Sequence, residues 1–219
     1  MAAPIVDPTT LEWVGLSSAE VSDALDFVGI AGQVSGIRAV VGEASMIGRA
    51  ATVRYVPAVG GSVGDFIDDV PPGAVVAVDN SGRLDCTVWG GILSEVAVRR
   101  GIAGAAINGA CRDTATAEEA GFPLFARINY MRTGKDRVRL EATNETVSFG
   151  DVPIHPGDII VGDRDGLVVV PSAAESEVLD RAHRIREAEE RIVALVRAGE
   201  SLVAARAAEG YHLLQRAER

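Results

Sequence analysis

The stretch from Gly90 to Ala115, GGILSEVAVRRGIAGAAINGACRDTA, constrains the fold more than any other part of the chain. Two glycines open a segment in which Ile92, Leu93, Val96 and Ala97 recur at helical spacing, so a helix with those four on one face is expected. Glu95 and Arg99 fall four apart on another face, and Gly101 supplies a C-terminal stop. Residues 103–108, AGAAIN, then read as a short buried strand whose end carries Gly109-Ala110-Cys111-Arg112-Asp113. A strand that delivers a guanidinium and a carboxylate side by side into a loop suggests a small-anion or metal site. The helix amides that follow Gly90-Gly91 offer a second, backbone anion site nearby.

The rest of the chain reads as support for that unit. Ser17-Ser18-Ala19-Glu20 is a capping signal for a helix carrying Val21, Leu25 and Val28. Gly48 to Val56 alternates as a strand with Ala51, Val53 and Tyr55 on one face. GGSVGD at 60–65 lacks both the Lys-Ser/Thr of a phosphate loop and the spacing of a dinucleotide turn, which leaves a connection or lid. Pro72-Gly73 and Pro156-Gly157 each start a buried strand that ends in an aspartate, Asp79 or Asp163, with a glycine three residues later. Each aspartate is expected to organise its turn. Thr114 or Thr116 is expected to cap a short helix to Ala120, 124–129 to form a strand, and 138–141 with 146–149 to form a hairpin. GLVVVP at 166–171 is a strand stopped by proline.

From Ser172 the character changes to a long charged helix ending near Gly199, then a shorter helical tail. Val178, Ala182, Ile185, Ile192 and Val196 form its apolar stripe, and Glu189 falls on that stripe. A carboxylate there either snorkels at the stripe's edge or reaches a cation. The stripe follows the last core strand, so an intersubunit groove is a natural place to bury it. The division expected is a domain over 1–171 and, over 172–219, a helical extension that packs on a neighbouring subunit.

Helices and strands mix throughout 219 residues, so the class is α/β or α+β in a single main domain. A formal charge of −10 argues against a nucleic-acid surface. No apolar run is long enough for a membrane span and no secretory signal is recognisable, so a cytoplasmic protein is expected. Cys86 and Cys111 have no zinc spacing and read as reduced thiols, and His155, His183 and His212 are too scattered to suggest a ligand set. Lys135 is the only lysine among 21 basic residues and sits in the polar segment RTGKDR. A Schiff-base mechanism needs a lysine in an apolar pocket, which makes imine chemistry improbable here.

The order Gly-Gly-Ile-Leu, then Ala-x-x-Arg-Gly-x-x-Gly, then Gly-x-x-Arg-Asp resembles the family of the regulator of ribonuclease E activity (RraA). That family includes the metal-dependent 4-hydroxy-4-methyl-2-oxoglutarate and 4-carboxy-4-hydroxy-2-oxoadipate aldolases. The resemblance continues through 121–127, Pro156-Gly157-Asp158 and 165–171, and more weakly upstream in 22–25 and 48–53. It implies an α/β/β/α sandwich like a swivelling phosphohistidine-type domain, assembled as homotrimers or homohexamers. It implies a class II pyruvate aldolase acting on a 2-oxo acid, with oxaloacetate decarboxylation available through the same enolate. Asp113 would ligate Mg²⁺ or Mn²⁺, Arg112 would face the enolate oxygen, and the amides of Gly91, Ile92 and Leu93 would bind the substrate carboxylate. An acidic residue from a neighbouring subunit's C-terminal region completes the metal's outer shell in such aldolases, and Glu189 is the match here.

Some aldolase members carry an acid where this chain has Gly91, and many have Asp where Asn108 stands. The proton-transfer partner is thus open among metal-held water, Asp79 and Asp23. The alternative is a non-catalytic regulatory protein that binds a protein partner such as a ribonuclease. Members of that kind typically lack the aspartate after the arginine, which Asp113 supplies here.

Overall fold

The computed structural model describes residues 8–42 and 44–210. Its helices are α1 (Ser18–Val28), α2 (Gly91–Arg100), α3 (Thr114–Glu119), α4 (Glu175–Arg197) and α5 (Leu202–Ala208), with short 3₁₀ turns at 8–13, 67–69 and 172–174. Its strands are β1 (Gln33–Val34), β2 (Arg38–Ala39), β3 (Met46–Pro57), β4 (Val75–Asp79), β5 (Gly104–Cys111) and β6 (Leu124–Asn129), followed by β7 (Val138–Thr143), β8 (Val147–Phe149), β9 (Val152–Ile154), β10 (Ile159–Gly162) and β11 (Leu167–Val170).

The main sheet runs β1-β11-β10-β3-β4-β5-β6-β2, with β7 added on β3. Long β3 is the spine. Its first residues pair antiparallel with β10, and Ala50 to Arg54 pair parallel with β4. From there β4, β5 and β6 stay parallel, and α2 and α3 supply the crossovers that parallel strands require. Three apolar layers follow. Val76, Val78, Ala105, Ile107, Leu124 and Ala126 point toward Leu93 and Ala97 of α2 and Ala117 of α3. The opposite faces of the same strands, through Val75, Ala77, Ala106 and Phe125, meet Ile160, Leu167 and Val169. Beyond these, Ile159, Val161, Val168 and Val170 pack on α1 and α4. Helix, strand, strand, helix is the expected layer order.

Several expectations hold in detail. Ser17 and Glu20 exchange the two hydrogen bonds of a capping box, and Gly101 ends α2 in a left-handed conformation at φ 71°. Asp79 accepts the Ser81 N–H and Asp163 the Asp165 N–H, so both organise their turns.

Others need correction. Residues 138–141 do not pair with 146–149. β7 returns along β3, and β8 pairs with β9 across the Gly150-Asp151 turn, where Gly150 takes φ 66°. A two-residue turn needs such a left-handed position, and Gly-Asp was its signal. Neither Thr114 nor Thr116 caps α3, because the N-cap position is Asp113 itself. Ile92 does not share the buried face of α2. Leu93, Ser94 and Ala97 turn inward, and Ile92 is 82% exposed at the start of the helix.

The stripe on α4 is covered by this chain over its first half. Val178, Leu179, Ala182 and Ile185 pack with Trp13, Leu16, Val21 and Leu25, whereas Val193 and Val196 farther along are exposed. Its N-terminal end is tied to β3 by Arg49, whose two terminal nitrogens bond the Glu175 carboxylate at 3.1 Å each. His212 lies outside the described residues.

Candidate active site

β5 ends under the N-terminus of α2, and that junction brings the expected residues together. The approach is fixed by the segment before the helix. Val88 N–H donates to the Ala110 carbonyl and Arg112 N–H to the Trp89 carbonyl, so residues 88–89 run beside the end of β5. Trp89 locks this register: its indole N–H donates to the Ser94 hydroxyl at 3.1 Å, and its ring stacks on Phe122 with centroids 5.6 Å apart. Nothing in the periodicity marks Trp89 as the anchor, since its stacking partner Phe122 is distant in sequence.

Adjacent side chains on extended backbone point apart, but Asp113 has φ 56° and ψ 39° and breaks the strand. This left-handed residue swings its carboxylate back over Arg112. Oδ2 of Asp113 accepts the Gly91 N–H at 3.0 Å and lies 3.5 Å from Arg112 Nε. The glycines opening α2 are there for clearance. A Cβ on Gly90 would stand 2.9 Å from Asp113 Oδ2 and 3.2 Å from Arg112 Nε, and one on Gly91 would stand 3.1 Å from the Thr116 methyl. Both charged side chains remain partly exposed, at 40% for Arg112 and 47% for Asp113, so the pair opens to solvent.

The helix terminus is thereby divided. Gly91 spends its amide on Asp113, and Ser94 N–H bonds the Gly90 carbonyl. Of the three amides expected to meet a substrate carboxylate, Gly91 N–H donates to Asp113, whereas no backbone acceptor among the described residues takes Ile92 or Leu93 N–H.

The remaining candidates separate. Asp79 lies on the face of β4 opposite α2 and is engaged: its Oδ1 accepts Ser81 N–H and Asn108 Nδ2, both at 2.8 Å. Asn108 is 5% exposed and also accepts Arg127 Nε at 2.6 Å, so it bridges an acid and a base across three parallel strands. The sequence offered no pairing for Arg127. Asp23 sits on α1 and Glu189 on α4, the helices that cover the other β-layer. Within one chain neither joins Arg112. Lys135 is exposed in the loop before β7. Cys111 precedes Arg112, but burial pushes its thiol up to about 12, so it stays protonated and unreactive at neutral pH.

A family model described as RraA-like, Aldolase/RraA, matches residues 18–169. The chain belongs to the Aldolase/RraA family. It is 33% identical over 176 residues to a protein of Halalkalibacterium halodurans named as a candidate 4-hydroxy-4-methyl-2-oxoglutarate aldolase, covering 79% of this chain and 82% of that one. It is 37% identical over 198 residues to protein DlpA of Legionella pneumophila, covering 88% of this chain but only 32% of DlpA's length. Among solved structures, an uncharacterized protein of Pseudomonas syringae superposes with a TM-score of 0.86 at 38% identity, covering 94% of this chain and all of that one. RraAS2 of Streptomyces coelicolor, described as an unusual member of the RNase ES inhibitor RraA protein family, superposes at 0.73 with 28% identity over 84% of this chain and 96% of that one.

Among the described residues no group of three or more His, Cys, Asp or Glu could hold a metal, so a cation at this junction would have the Asp113 carboxylate alone from this chain. One exposed carboxylate beside water suits a hard cation such as Mg²⁺, which dehydrates reluctantly. It does not suit a closed zinc site, which takes four N or S ligands. No helix among the described residues is long and apolar enough to cross a membrane.

Proposed function

We propose that this chain is a divalent-metal-dependent aldolase that cleaves 4-hydroxy-2-oxo acids to pyruvate and, through the same enolate, decarboxylates oxaloacetate. The observation that carries the reading is the convergence of Arg112, Asp113 and the α2 N-terminus, with Asp113 Oδ2 3.0 Å from the Gly91 nitrogen and 3.5 Å from Arg112 Nε. The aldolase names of relatives support a lyase in general.

Asp113 is the residue that would hold Mg²⁺ or Mn²⁺, and the bound cation would supply Lewis acidity toward the 2-oxo group. The substrate carboxylate takes the Ile92 and Leu93 amides, where the helix dipole favours an anion. The Arg112 guanidinium donates to the oxygen that gains charge as the C3–C4 bond breaks, which stabilises the enolate more than the ketone. The 4-hydroxyl proton leaves to solvent, and protonation at C3 gives pyruvate. Assembly into trimers or hexamers, with Glu189 supporting a neighbour's metal shell, belongs to the same proposal.

Pyruvate release from 4-hydroxy-2-oxo acids and oxaloacetate, followed with and without Mg²⁺, tests the reading. Activity should vanish in EDTA, return with Mg²⁺ or Mn²⁺, and survive borohydride treatment in the presence of substrate. Full activity in chelator, or an adduct trapped on Lys135, would overturn the metal mechanism. Absence of pyruvate release from every substrate, metal present, would favour the regulatory alternative.

A further inference from the structure

The sheet face opposite α2 carries a charged group that the proposed chemistry does not use. Arg127 follows Ala126, whose side chain belongs to the α2 side, and so leaves β6 on the other face with Asp79 of β4 and Asn108 of β5. Its Nε donates to Asn108 Oδ1 at 2.6 Å, while the Asn108 amide nitrogen donates to Asp79 Oδ1 at 2.8 Å and to the Ser148 carbonyl at 2.9 Å. Both amide hydrogens of buried Asn108 are thereby used, so the guanidinium is held by a group with no freedom to turn away. Nη1 and Nη2 of Arg127 have no acceptor among the described residues. With Nε committed, the edge that remains is the end-on one, whose two nitrogens match the two oxygens of a carboxylate.

Three turns border that edge without covering it. A Cβ on Gly36 would stand 3.0 Å from Nη1, one on Gly82 3.7 Å from Nε, and one on Gly150 4.0 Å from Nη2. Gly36 and Gly150 are exposed, so the fork is approached from solvent. The other cations nearby are spent or face elsewhere. Arg54, in register with Asp79, pairs with Glu141 and Glu145 at 3.8 and 3.7 Å and donates to the Thr146 carbonyl. Arg38 sits opposite Ala126 and so leaves on the α2 face. The acids nearby are Asp79, across Asn108, and exposed Asp151, next to Gly150. One unpaired fork bordered by two carboxylates favours a single negative charge over a multiply charged anion.

We propose that the Arg127 fork is a second anion site, on the opposite sheet face from α2, that takes the carboxylate of a small monocarboxylic acid. The carboxylate pairs end-on with Nη1 and Nη2, and the rest of the acid stays at the solvent rim formed by the three glycine turns. Asn108 acts as the positioning residue, since it alone fixes the direction of the fork. The site needs neither a metal nor the aldolase reading of Arg112 and Asp113.

Titration of the isotope-labelled full chain with acetate in metal-free buffer tests this by nuclear magnetic resonance. The readouts are the Arg127 Nε–H signal and the backbone amide signals of Gly36, Gly82 and Gly150, which border the fork. Acetate should shift all four together and saturably, and inorganic phosphate should need a higher concentration to do so. In Arg127→Lys the glycine signals should need about ten-fold more acetate, because an ammonium cannot make the paired contact. Thermal denaturation of the variant checks the fold. Signals that acetate leaves in place, tighter binding of phosphate, or undiminished acetate affinity in Arg127→Lys overturns the inference. Light scattering adds a further arm: smaller particles in Arg127→Lys would mean that the fork already holds a carboxylate from a second copy of this chain, which also overturns it. Each of these results leaves the aldolase reading standing, and failure of pyruvate release leaves the Arg127 site standing.

Discussion

Asp113 carries the conformational cost of the candidate site. A non-glycine residue in the left-handed region is strained by roughly 1–3 kcal/mol, and the Gly91 amide and Arg112 guanidinium are the compensating partners. Asp113→Asn keeps the shape and tolerates the same backbone, so the fold should persist while metal affinity and pyruvate release fall steeply. Metal titration and the melting temperature, measured together, separate the two effects. Arg112→Lys keeps a charge but loses the planar fork. If the guanidinium acts chiefly on enolate charge, kcat should drop by more than KM rises, within the ~2.7–4 kcal/mol typical of one preorganised donor. A higher KM with unchanged kcat would make Arg112 an anchor for the bound acid, and wild-type kinetics in both variants would move the site elsewhere.

At the scale of elements, what the sequence displays and what it hides follow from contact range. The α2–β5 unit was legible because helix period, glycine stop and apolar run lie within one stretch of chain. β7 was misread because its partner, β3, lies some eighty residues upstream, and no local pattern names a partner strand. Ile92 was misplaced because two adjacent rows of α2 are apolar and only the packing of Leu93 and Ala97 on the sheet decides between them. The tie between α1 and the β10–β11 turn was equally invisible: Asp163 accepts Ser18 N–H at 2.7 Å and Ser18 Oγ at 2.6 Å. Burial alone would raise the Asp163 carboxyl, but the bonds from Ser18, Asp165 and Gly166 outweigh it and hold the group below its ordinary range. The stabilisation is therefore present above the unfolded aspartate value of about 4 and is lost as pH falls through the lower folded value. Asp163→Asn should cost roughly 1 kcal/mol at pH 7, after allowance for partial exposure, and less at pH 3. Urea unfolding of both proteins at the two pH values measures this, and an equal loss at both would remove the charge from the explanation.

For the whole molecule, the question is whether one chain suffices. The first half of α4 is satisfied by α1, which weakens the case for burying the entire stripe in a neighbour. Its second half and α5 differ, since Val193, Val196, Leu202 and Val203 are 45%, 41%, 48% and 81% exposed. Four such side chains at one end of a charged helical pair are the surface on which a second copy would pack. Glu189, between Ala188 and Ile192 of the buried row, sits where the covered half gives way to the open one. If it supports a neighbour's metal shell, Asp113→Asn and Glu189→Gln are lesions in different chains of the same shared site. Each variant alone should be impaired, while mixed subunits should recover activity, because a site drawing Asp113 from one chain and Glu189 from the other can then be intact. Truncation after Ala198 would test the assembly surface separately, since it removes Leu202 and Val203 while sparing the α1–α4 contact; light scattering should report smaller particles. A fully active monomer, or no recovery on mixing despite demonstrated subunit exchange, would return Glu189 to a structural role and leave Asp113 to hold its cation with water alone.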